Sequence, residues 1–242
     1  MIPKVIHYCW FSDEKKNRFI SNCIKSWHRT MPDYEIKCWD ANSFDFDSVP
    51  FVKEAWIAQN WAYVSDYIRL YALYTEGGIY LDSDVKTFKS FDTFLDNKLF
   101  IGTELPFEGS IHVEAAIMGA EKRHPYLKEC LDYYNQIGYL KADGNRSDVI
   151  PFVMTDIIKK KYGYVQEDRS QQLKDGIHVY SQKYFGHSFG TKKGSYYAIH
   201  YYNSAWSIKH RGKLYYFFKK NDLMSYYLIL EKIAHKLKKV LD

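Results

Sequence analysis

The 242-residue sequence lacks the features that mark several specialised classes of protein. No run approaches the roughly 18 consecutive apolar residues that a membrane-spanning helix requires. The apolar stretch at the N-terminus, MIPKVIHYCWF, is too short for a secretory signal peptide. There is no internal repeat, low-complexity tract or convincing linker. These absences predict an intracellular, cytoplasmic globular protein, unless an export signal lies outside this chain.

Paired cysteines are also missing. Cys9, Cys23, Cys38 and Cys130 form no C-x-x-C pair and show no metal-ligand spacing. Each lies in an apolar stretch, which predicts buried free thiols. Free thiols are typical of proteins that reside in a reducing compartment.

A concentrated charge of one sign is absent as well. The net charge is only +5 and is spread along the chain, which argues against a nucleic-acid partner while still favouring a diphosphate. The hydrophobic share of 46% is ordinary for a globular protein, and the length suits one large domain. Aromatic residues reach 18%, mostly through 23 tyrosines, which suit either sugar and base recognition or plain core packing.

The first 40 residues predict a strand–helix–strand unit. Residues 5–10 are apolar and β-favouring, and apolar residues then recur at helical spacing between residues 19 and 27. Residues 34–38 alternate as a strand does. A strand–helix–strand order favours a right-handed unit in a parallel sheet, so the fold class is α/β.

The rest of the chain continues this pattern to the C-terminus. Helices are predicted at residues 62–76, from Pro125 onwards and at 151–162; strands are predicted at 79–81, 100–102, 115–118, 177–180 and 196–202. Residues 223–242 predict a basic amphipathic helix. We therefore divide the chain into one domain at 1–222 and a C-terminal helix at 223–242. This helix either packs on the domain or lies on an anionic membrane surface at the inner face of the cell membrane.

The strongest local motif is GGIYLDSD at residues 77–84. Asp82 and Asp84 directly follow a buried strand and so lie at its carboxyl end, where ligands bind in open α/β sheets. Two carboxylates there repel each other unless a cation lies between them, and their oxygens suit Mg²⁺ or Mn²⁺. The alternative is an exposed strand end. A second D-x-D at Asp45 and Asp47 lies in a polar segment and is interpreted as a solvated turn.

The helix before this motif carries Asp66 and Arg69 on one face. An ordinary intrahelical ion pair would explain the spacing. Alternatively, Arg69 faces phosphate oxygens, which its planar fork of donors suits, and Asp66 faces a sugar hydroxyl.

Residues 2–10, IPKVIHYCW, resemble the beginning of the DXD-containing sugar transferases of glycosyltransferase family 32. This family includes fungal initiating mannosyltransferases and many bacterial capsule and lipopolysaccharide enzymes. Further blocks of the family match in order: residues 32–36 with Trp39, residues 62–69, residues 77–84 and residues 198–206. An ordered set of motifs is far more specific than any one of them.

The resemblance implies a GT-A fold: a single Rossmann-like nucleotide-binding domain with a mixed central sheet. It also implies a nucleotide-sugar donor, UDP-hexose being favoured, and a divalent metal. In the related clostridial toxin glucosyltransferases, the position matching Trp10 stacks on the nucleobase, and those matching Asp66 and Arg69 hold the donor sugar. The implied donor-binding residues are Trp10, Tyr63, Asp66, Arg69, Tyr80, Ser204 and Trp206. The implied metal ligands are Asp82, Asp84 and His200; the alternative for His200 is a core histidine.

The family also implies retention of anomeric configuration. Asp82, through the metal, and Arg69 are the expected catalytic residues, because they would stabilise negative charge on the departing diphosphate. No clear nucleophile is visible, so same-face attack is favoured over double displacement. Glu104, Glu114 and Asp156 are candidates for the acceptor side, although each also suits a structural or solvated position.

Two departures from the family leave the acceptor open. Residues 114–120 lack an Asn expected near their start, and residues 142–148 replace a small-residue turn. A glycan or undecaprenyl-diphosphate-linked glycan in bacterial surface polysaccharide synthesis is the acceptor class expected. The rival functions are a metal-dependent hydrolase, which needs more converging acids, and a non-catalytic carbohydrate-binding protein, which leaves the acidic motif unexplained.

Overall fold

The computed structural model describes residues 1–107, 109–187 and 196–202, together with the single positions 218, 226, 227 and 230. The helices in this part of the chain are α1 (Arg18–Thr30), α2 (Pro50–Ile57), α3 (Trp61–Glu76), α4 (Pro125–Asn135) and α5 (Ile150–Tyr162). The strands are β1 (Val5–Cys9), β2 (Glu35–Trp39), β3 (Gly78–Leu81), β4 (Val85–Thr87), β5 (Leu99–Thr103), β6 (Val113–Ala120), β7 (Gln171–Gln172), β8 (Ile177–Tyr180), β9 (Phe185–His187) and β10 (Ala198–His200).

The strand–helix–strand unit forms as the sequence predicts. Strands β1 and β2 pair in parallel and are joined by α1. The helix begins after Asn17, whose side-chain oxygen accepts the backbone N–H of Ile20 at 3.0 Å. It ends at Thr30, and its C-cap residue Met31 immediately precedes Pro32. The α/β class is confirmed.

The main sheet has seven strands in the order β2-β1-β3-β6-β5-β8-β7 and is mixed. Strand β3 runs parallel to β1, whereas β6 runs antiparallel to both of its neighbours, β3 and β5. Consequently β1, β3 and β5 all point the same way. Their carboxyl ends meet at one edge of the sheet, where the functional side chains were expected.

The two faces of the sheet are covered differently. Alternate residues of β3 point to opposite faces: Tyr80 packs with helices α2 to α5, whereas Ile79 and Leu81 pack on the side of α1. The second face also receives Phe185 of β9. The sheet is therefore buried on both sides, which explains the continuous apolar runs of its central strands.

The connection from α3 to β3 depends on its two glycines. Gly77 and Gly78 have φ angles of +72° and +104°. A Cβ atom on Gly78 would lie 2.7 Å from the carbonyl oxygen of Val5, a distance that side chains do not tolerate. The pair therefore does more than cap the helix, because it lets β3 approach β1 closely and directs the chain into Asp82.

His7 fixes this connection from β1. Its Nε2–H donates to the Gly77 carbonyl at 2.8 Å, and its Nδ1 accepts the Trp39 indole N–H at 3.1 Å. Both ring nitrogens are thus satisfied by a neutral imidazole. Burial lowers the pKa of His7 from its ordinary value, although the hydrogen bond to Gly77 opposes that shift.

Acid is therefore expected to weaken the fold through His7. Below about pH 6.5 the unfolded chain binds a proton at this residue that the folded state excludes. This contribution to the free energy of unfolding is present above that pH and is lost as the pH falls below it. Urea unfolding at about pH 7.5 and 5.5 should show a smaller acid loss for His7→Gln than for wild type. Equal losses would contradict the assignment.

A three-stranded sheet in the order β4-β10-β9 adjoins the main sheet. Strand β4 begins directly after Asp84, and β10 pairs antiparallel to it with His200 opposite Val85. This register places His200 beside Asp84. The sequence patterns missed the short strands β4, β7 and β9, because two or three strand residues carry no readable period. They also missed helix α2.

Two other sequence predictions need comment. Cys23 and Cys130 are buried as expected, but Cys9 and Cys38 are only partly buried, which corrects the prediction for those two. The predicted C-terminal helix at 223–242 falls outside the described residues, apart from the single positions 226, 227 and 230. Among the described residues, no helix combines the length and apolar character needed to cross a bilayer.

Candidate active site

Arg69 lies at the centre of the candidate site and is fully buried on α3. Its Nε donates to the Ser65 carbonyl at 3.1 Å, and its Nη1 donates to the Ala115 carbonyl at 2.8 Å. The ion pairs run from Nη1 to Asp82 at 3.2 Å and from Nη2 to Asp66 at 3.3 Å. With Nη2 also donating to the Ser65 hydroxyl at 3.0 Å, five acceptors match the five N–H donors of the guanidinium.

Of the two sequence interpretations of Asp66 and Arg69, the ion pair along the helix is present in the structure. Arg69 also reaches Asp82, the residue directly after β3. Because all its N–H donors are engaged in this structure, the role of Arg69 here is to orient Asp82. Burial opposes the charge on Arg69, yet Asp82, Tyr80 and Asp66 raise its pKa, so it remains a cation.

Asp66 is a buried acid with a raised pKa. Burial raises the pKa of Asp66 from 3.8 to about 7, even though Arg69 opposes the shift. One carboxylate oxygen accepts the backbone N–H of Ile150 at 3.3 Å, at the first turn of α5. Asp66 thus connects the helix that carries Arg69 to the start of α5, where a helix N-terminus favours negative charge.

Asp82 is held from two directions and still reaches the surface. The Tyr80 hydroxyl donates to its Oδ1 at 2.9 Å, and Arg69 pairs with the same carboxylate. The Arg69 guanidinium also lies 4.8 Å from the centroid of the Tyr80 ring. The Asp82 side chain remains 25% exposed, so one side of it is accessible to a ligand.

Asp84 and His200 complete a cluster with Asp82. His200 Nε2 lies 3.5 Å from Asp84 Oδ1, and one ligand atom from each of the three residues lies within 4.8 Å of the others. Two carboxylates with an imidazole form a donor set that suits Mn²⁺, while the carboxylates alone suit Mg²⁺. The three predicted metal ligands therefore fit a divalent cation by their chemistry and spacing.

His200 also has a partner behind it. Its Nδ1 lies 2.9 Å from Oε1 of Glu114, which is completely buried on β6. Burial disfavours the His200 cation, but Asp84 and then Glu114 raise its pKa to about 10. The core-histidine and metal-ligand interpretations of His200 are thus compatible, because each applies to a different ring nitrogen.

A further network surrounds this pair. His187 Nε2 lies 3.0 Å from the Thr103 carbonyl, and its Nδ1 lies 2.8 Å from the Tyr202 hydroxyl. That hydroxyl also lies 3.3 Å from Glu104. Burial raises the pKa of Glu104, with His200 and Tyr202 opposing. Glu104, His187 and Tyr202 therefore form a polar layer beside the candidate cation site.

A large β-bulge in β6 brings these groups together. Ile101 of β5 pairs with Met118, but the next residue, Gly102, pairs with Glu114, so residues 115–117 have no partner on β5. Two carbonyls of this bulge hold the site: that of Ala115 accepts from Arg69, and that of Ala116 accepts the Asp82 N–H at 2.9 Å. Bulges of this kind redirect side chains beside functional sites.

The other residues predicted to bind the donor lie in different surroundings. Trp10 follows β1 at the same sheet edge as Asp82 and is partly buried; its indole N–H donates to the Glu14 carbonyl at 3.0 Å. The Tyr63 hydroxyl donates to the Ser147 carbonyl at 3.1 Å. Ser204 and Trp206 fall outside the residues that the structure describes.

The three acceptor-side candidates separate clearly. Glu104 lies in the polar layer next to the site, whereas Glu114 is buried beneath His200. Asp156 is exposed on α5 and pairs with Lys160 one turn later, and no described contact joins it to the cluster. The D-x-D at Asp45 and Asp47 forms an exposed turn, as predicted.

Sequence reasoning missed the partners that organise the site. Ser65, His187 and Tyr202 were not singled out, and Glu114 was considered only as an acceptor-side residue. The single available signal was that residues 114–120 lack the Asn expected near their start. No spacing rule could have paired Glu114 with a histidine 86 residues further along the chain.

Residues 18–101 match the family described as "Glycosyltransferase sugar-binding region containing DXD motif". The match contains Asp66, Arg69, Asp82 and Asp84, but covers less than half of the chain. It supports the resemblance to glycosyltransferase family 32, although not the bacterial capsule or lipopolysaccharide type.

Two curated relatives come from Schizosaccharomyces pombe. Inositol phosphoceramide mannosyltransferase 3 is 30% identical over 139 residues, which are 52% of this chain and 35% of the relative. Inositol phosphoceramide mannosyltransferase 1 is 28% identical over 141 residues, which are 54% of this chain and 42% of the relative. The chain therefore spans less than half of the length of either relative.

Among solved structures, the glycosyltransferase GlyE of Streptococcus pneumoniae has a similar fold. The TM-score is 0.50 at 12% identity, over 98% of this chain and 64% of GlyE. Together with the mixed seven-stranded sheet, this similarity shows the expected GT-A fold. The matched region, the two relatives and the fold are all those of glycosyltransferases.

Proposed function

We propose that this protein is a metal-dependent glycosyltransferase that takes a sugar from a nucleotide sugar. The observation that carries the proposal is the convergence of Asp82, Asp84 and His200 beside a buried Arg69. This cluster lies at the carboxyl edge of an α/β sheet, where nucleotides bind in such folds. A carbohydrate-binding protein would need no such acidic cluster.

The cation fits the three residues of this cluster. Asp82, Asp84 and His200 would hold Mn²⁺ or Mg²⁺, and the imidazole nitrogen favours Mn²⁺. When bound, the ion would neutralise the negative charge of the diphosphate leaving group. Arg69 would keep Asp82 in place and add a fixed positive charge beneath it, and Tyr80 would hold the other side of Asp82.

Same-face attack with retained configuration is the mechanism we favour. A double displacement needs an accessible carboxylate, but Asp66, Asp84 and Glu114 are all buried. Asp82 is partly exposed but would bind the cation, which leaves Glu104, in the polar layer, as the partly exposed alternative among the described acids of this network. The departing phosphate would then help to accept the acceptor proton. Trp10 would stack on the base, with Ser204 and Trp206 closing over the diphosphate.

The donor is either a UDP-hexose or GDP-mannose. The family resemblance led to UDP-hexose, whereas the names of both curated relatives specify mannosyl transfer. For the acceptor we propose a glycan, free or carried on a lipid diphosphate such as undecaprenyl diphosphate in bacterial surface polysaccharide synthesis. The named acceptor of the relatives, inositol phosphoceramide, is also a lipid. Membrane contact through residues 223–242 stays a prediction.

Thermal unfolding with UDP or GDP, each with and without Mn²⁺, tests the proposal. A ligand at 100 times its Kd stabilises the folded state by about 2.7 kcal/mol. For a chain of this size that raises the melting temperature by about 5–10 °C. We expect one nucleotide to do so only with Mn²⁺, which also identifies the donor base.

Failure of both nucleotides under every metal condition would contradict the donor site and favour a carbohydrate-binding protein. Intact-mass measurement after incubation with the matching nucleotide sugar addresses the mechanism. Same-face attack predicts an unmodified protein, whereas a hexose attached to a carboxylate such as Glu104 would establish double displacement.

A further inference from the structure

Glu114 occupies a position from which it can control His200. We propose that Glu114 is a positioning residue: it fixes the proton on Nδ1 of His200, so that Nε2 faces the cation held with Asp82 and Asp84. This inference rests on the metal dependence in the proposed function. It assigns Glu114 to the metal site, and no longer to the acceptor side where the sequence placed it.

The hydrogen bond fixes the tautomer. Glu114 Oε1 lies 2.9 Å from Nδ1. Burial raises the pKa of Glu114, and His187 and His200 oppose that shift. When Glu114 is ionised its carboxylate can only accept, so Nδ1 then carries the proton. In the neutral ring, the lone pair then lies on Nε2, which is the nitrogen that faces Asp84 at 3.5 Å. Carboxylate partners of this kind orient metal-binding histidines and increase their basicity.

The alternative position for the cation, among Glu114, His187 and His200, is less suitable. These residues are also close enough to bind an ion. However, Nδ1 of His200 is already engaged with Glu114, and Nδ1 of His187 lies 2.8 Å from the Tyr202 hydroxyl. The Thr103 carbonyl engages Nε2 of His187. An ion there would have to break these contacts, whereas Nε2 of His200 already points to Asp84.

The surroundings of the second carboxylate oxygen of Glu114 support a functional role for this residue. Its second oxygen, Oε2, is buried and has no hydrogen-bond partner among the described residues. It lies over Gly102, where an added Cβ would come within 3.1 Å of it. A buried carboxylate oxygen without a partner is unfavourable for folding. The bulge in β6 and the glycine opposite it nonetheless place Glu114 against His200.

Binding of Mn²⁺ alone, without nucleotide, tests this inference by electron paramagnetic resonance of the free ion. We expect Glu114→Gln to weaken Mn²⁺ binding by about 10–100-fold, because a glutamine amide can donate to Nδ1 and permit the other tautomer. Asp132→Asn, an exposed acid on α4 that pairs with Lys128, is the matched control and should bind as wild type does. The melting temperature in EDTA separates affinity from stability.

Two results would overturn the inference. In one, Glu114→Gln lowers the metal-free melting temperature but binds Mn²⁺ as wild type does, so Glu114 is merely structural. In the other, wild type binds no Mn²⁺, which also removes the metal dependence of the proposed function. Conversely, Mn²⁺ binding that depends on Glu114 without any nucleotide binding would support the inference while contradicting the transferase.

Wild-type protein provides a second measurement if the variant does not fold. Long-range ¹H–¹⁵N spectra of histidine-labelled protein distinguish the two ring nitrogens of His200. Addition of Cd²⁺, a diamagnetic probe, should shift Nε2 and leave Nδ1 protonated. A shift at Nδ1 with the proton on Nε2 would overturn the inference.

Discussion

Replacing Asp84 by asparagine is expected to abolish metal-dependent nucleotide binding. The substitution keeps the shape of the side chain but removes one of the two carboxylates that, with His200, can hold the ion. Loss of an outer hydrogen-bond partner of a ligand costs 10–100-fold in metal affinity, so loss of the ligand should cost at least about 100-fold. Several kcal/mol of leaving-group stabilisation correspond to roughly 10²–10⁴ in transfer rate.

Titration calorimetry of Mn²⁺ with the stabilising nucleotide measures this effect, and circular dichroism checks the fold. The chain supplies its own control in the second D-x-D. Asp47→Asn removes a carboxylate from an exposed loop where Asp47 pairs only with Lys53 in the described contacts. It should leave binding unchanged. Equal binding by the Asp84→Asn protein would show that the ion, if any, lies elsewhere.

Replacing Arg69 by methionine is expected to damage both stability and function. It removes the only described cationic partner of the buried Asp66, whose pKa is already raised to about 7. Breaking a buried ion pair from one side costs about 3–5 kcal/mol. The loss relative to wild type should grow as the pH rises through about 7, because Asp66 ionises there in the folded wild type, whereas without Arg69 it has to stay protonated to a higher pH. Chemical denaturation at several pH values measures it.

A double substitution separates the two effects. Replacing Asp66 by asparagine as well removes the stranded charge, so Arg69→Met with Asp66→Asn should recover much of the stability. It should not recover nucleotide binding, because Asp82 still lacks its partner. Arg69→Lys, which keeps the charge but not the five donors, should fall between wild type and methionine in stability. If the double variant bound nucleotide normally, Arg69 would have no part in the site.

The sequence predicts the half of the site that is built from local motifs. Residues 61–84 form helix, glycine turn, strand and acidic pair in order, and each step follows from periodicity and turn chemistry. Parallel pairing of β1 and β3 then brings Trp10 to the edge where Asp82 lies. These steps need no knowledge of distant contacts.

The other half depends on strand register, which composition does not encode. All eight residues of 113–120 are buried and show no alternation, so their sequence does not indicate a bulge. The three bulged residues of β6 lie opposite the step from Ile101 to Gly102 on β5. Glu114 and His200 therefore meet only through the pairing of β5, β6 and β10. Asp156 shows the opposite case. In the sequence this acid on a helix looks as promising as Glu114, although only Glu114 lies next to the candidate cation site.

Residues 115–117, which form the bulge in β6, connect the part of the site around Arg69 with the part around His200. The pairing of β6 with β3 is regular, with Leu81 opposite Ile117, whereas the register of β6 against β5 shifts by three residues. Deleting one residue there would leave the Tyr80–Met118 pairing intact but turn Glu114 to the opposite face of the sheet. A change of length within residues 115–117 would therefore displace two contacts of the site together: the Ala115 carbonyl that accepts from Arg69 and the Glu114 carboxylate next to His200.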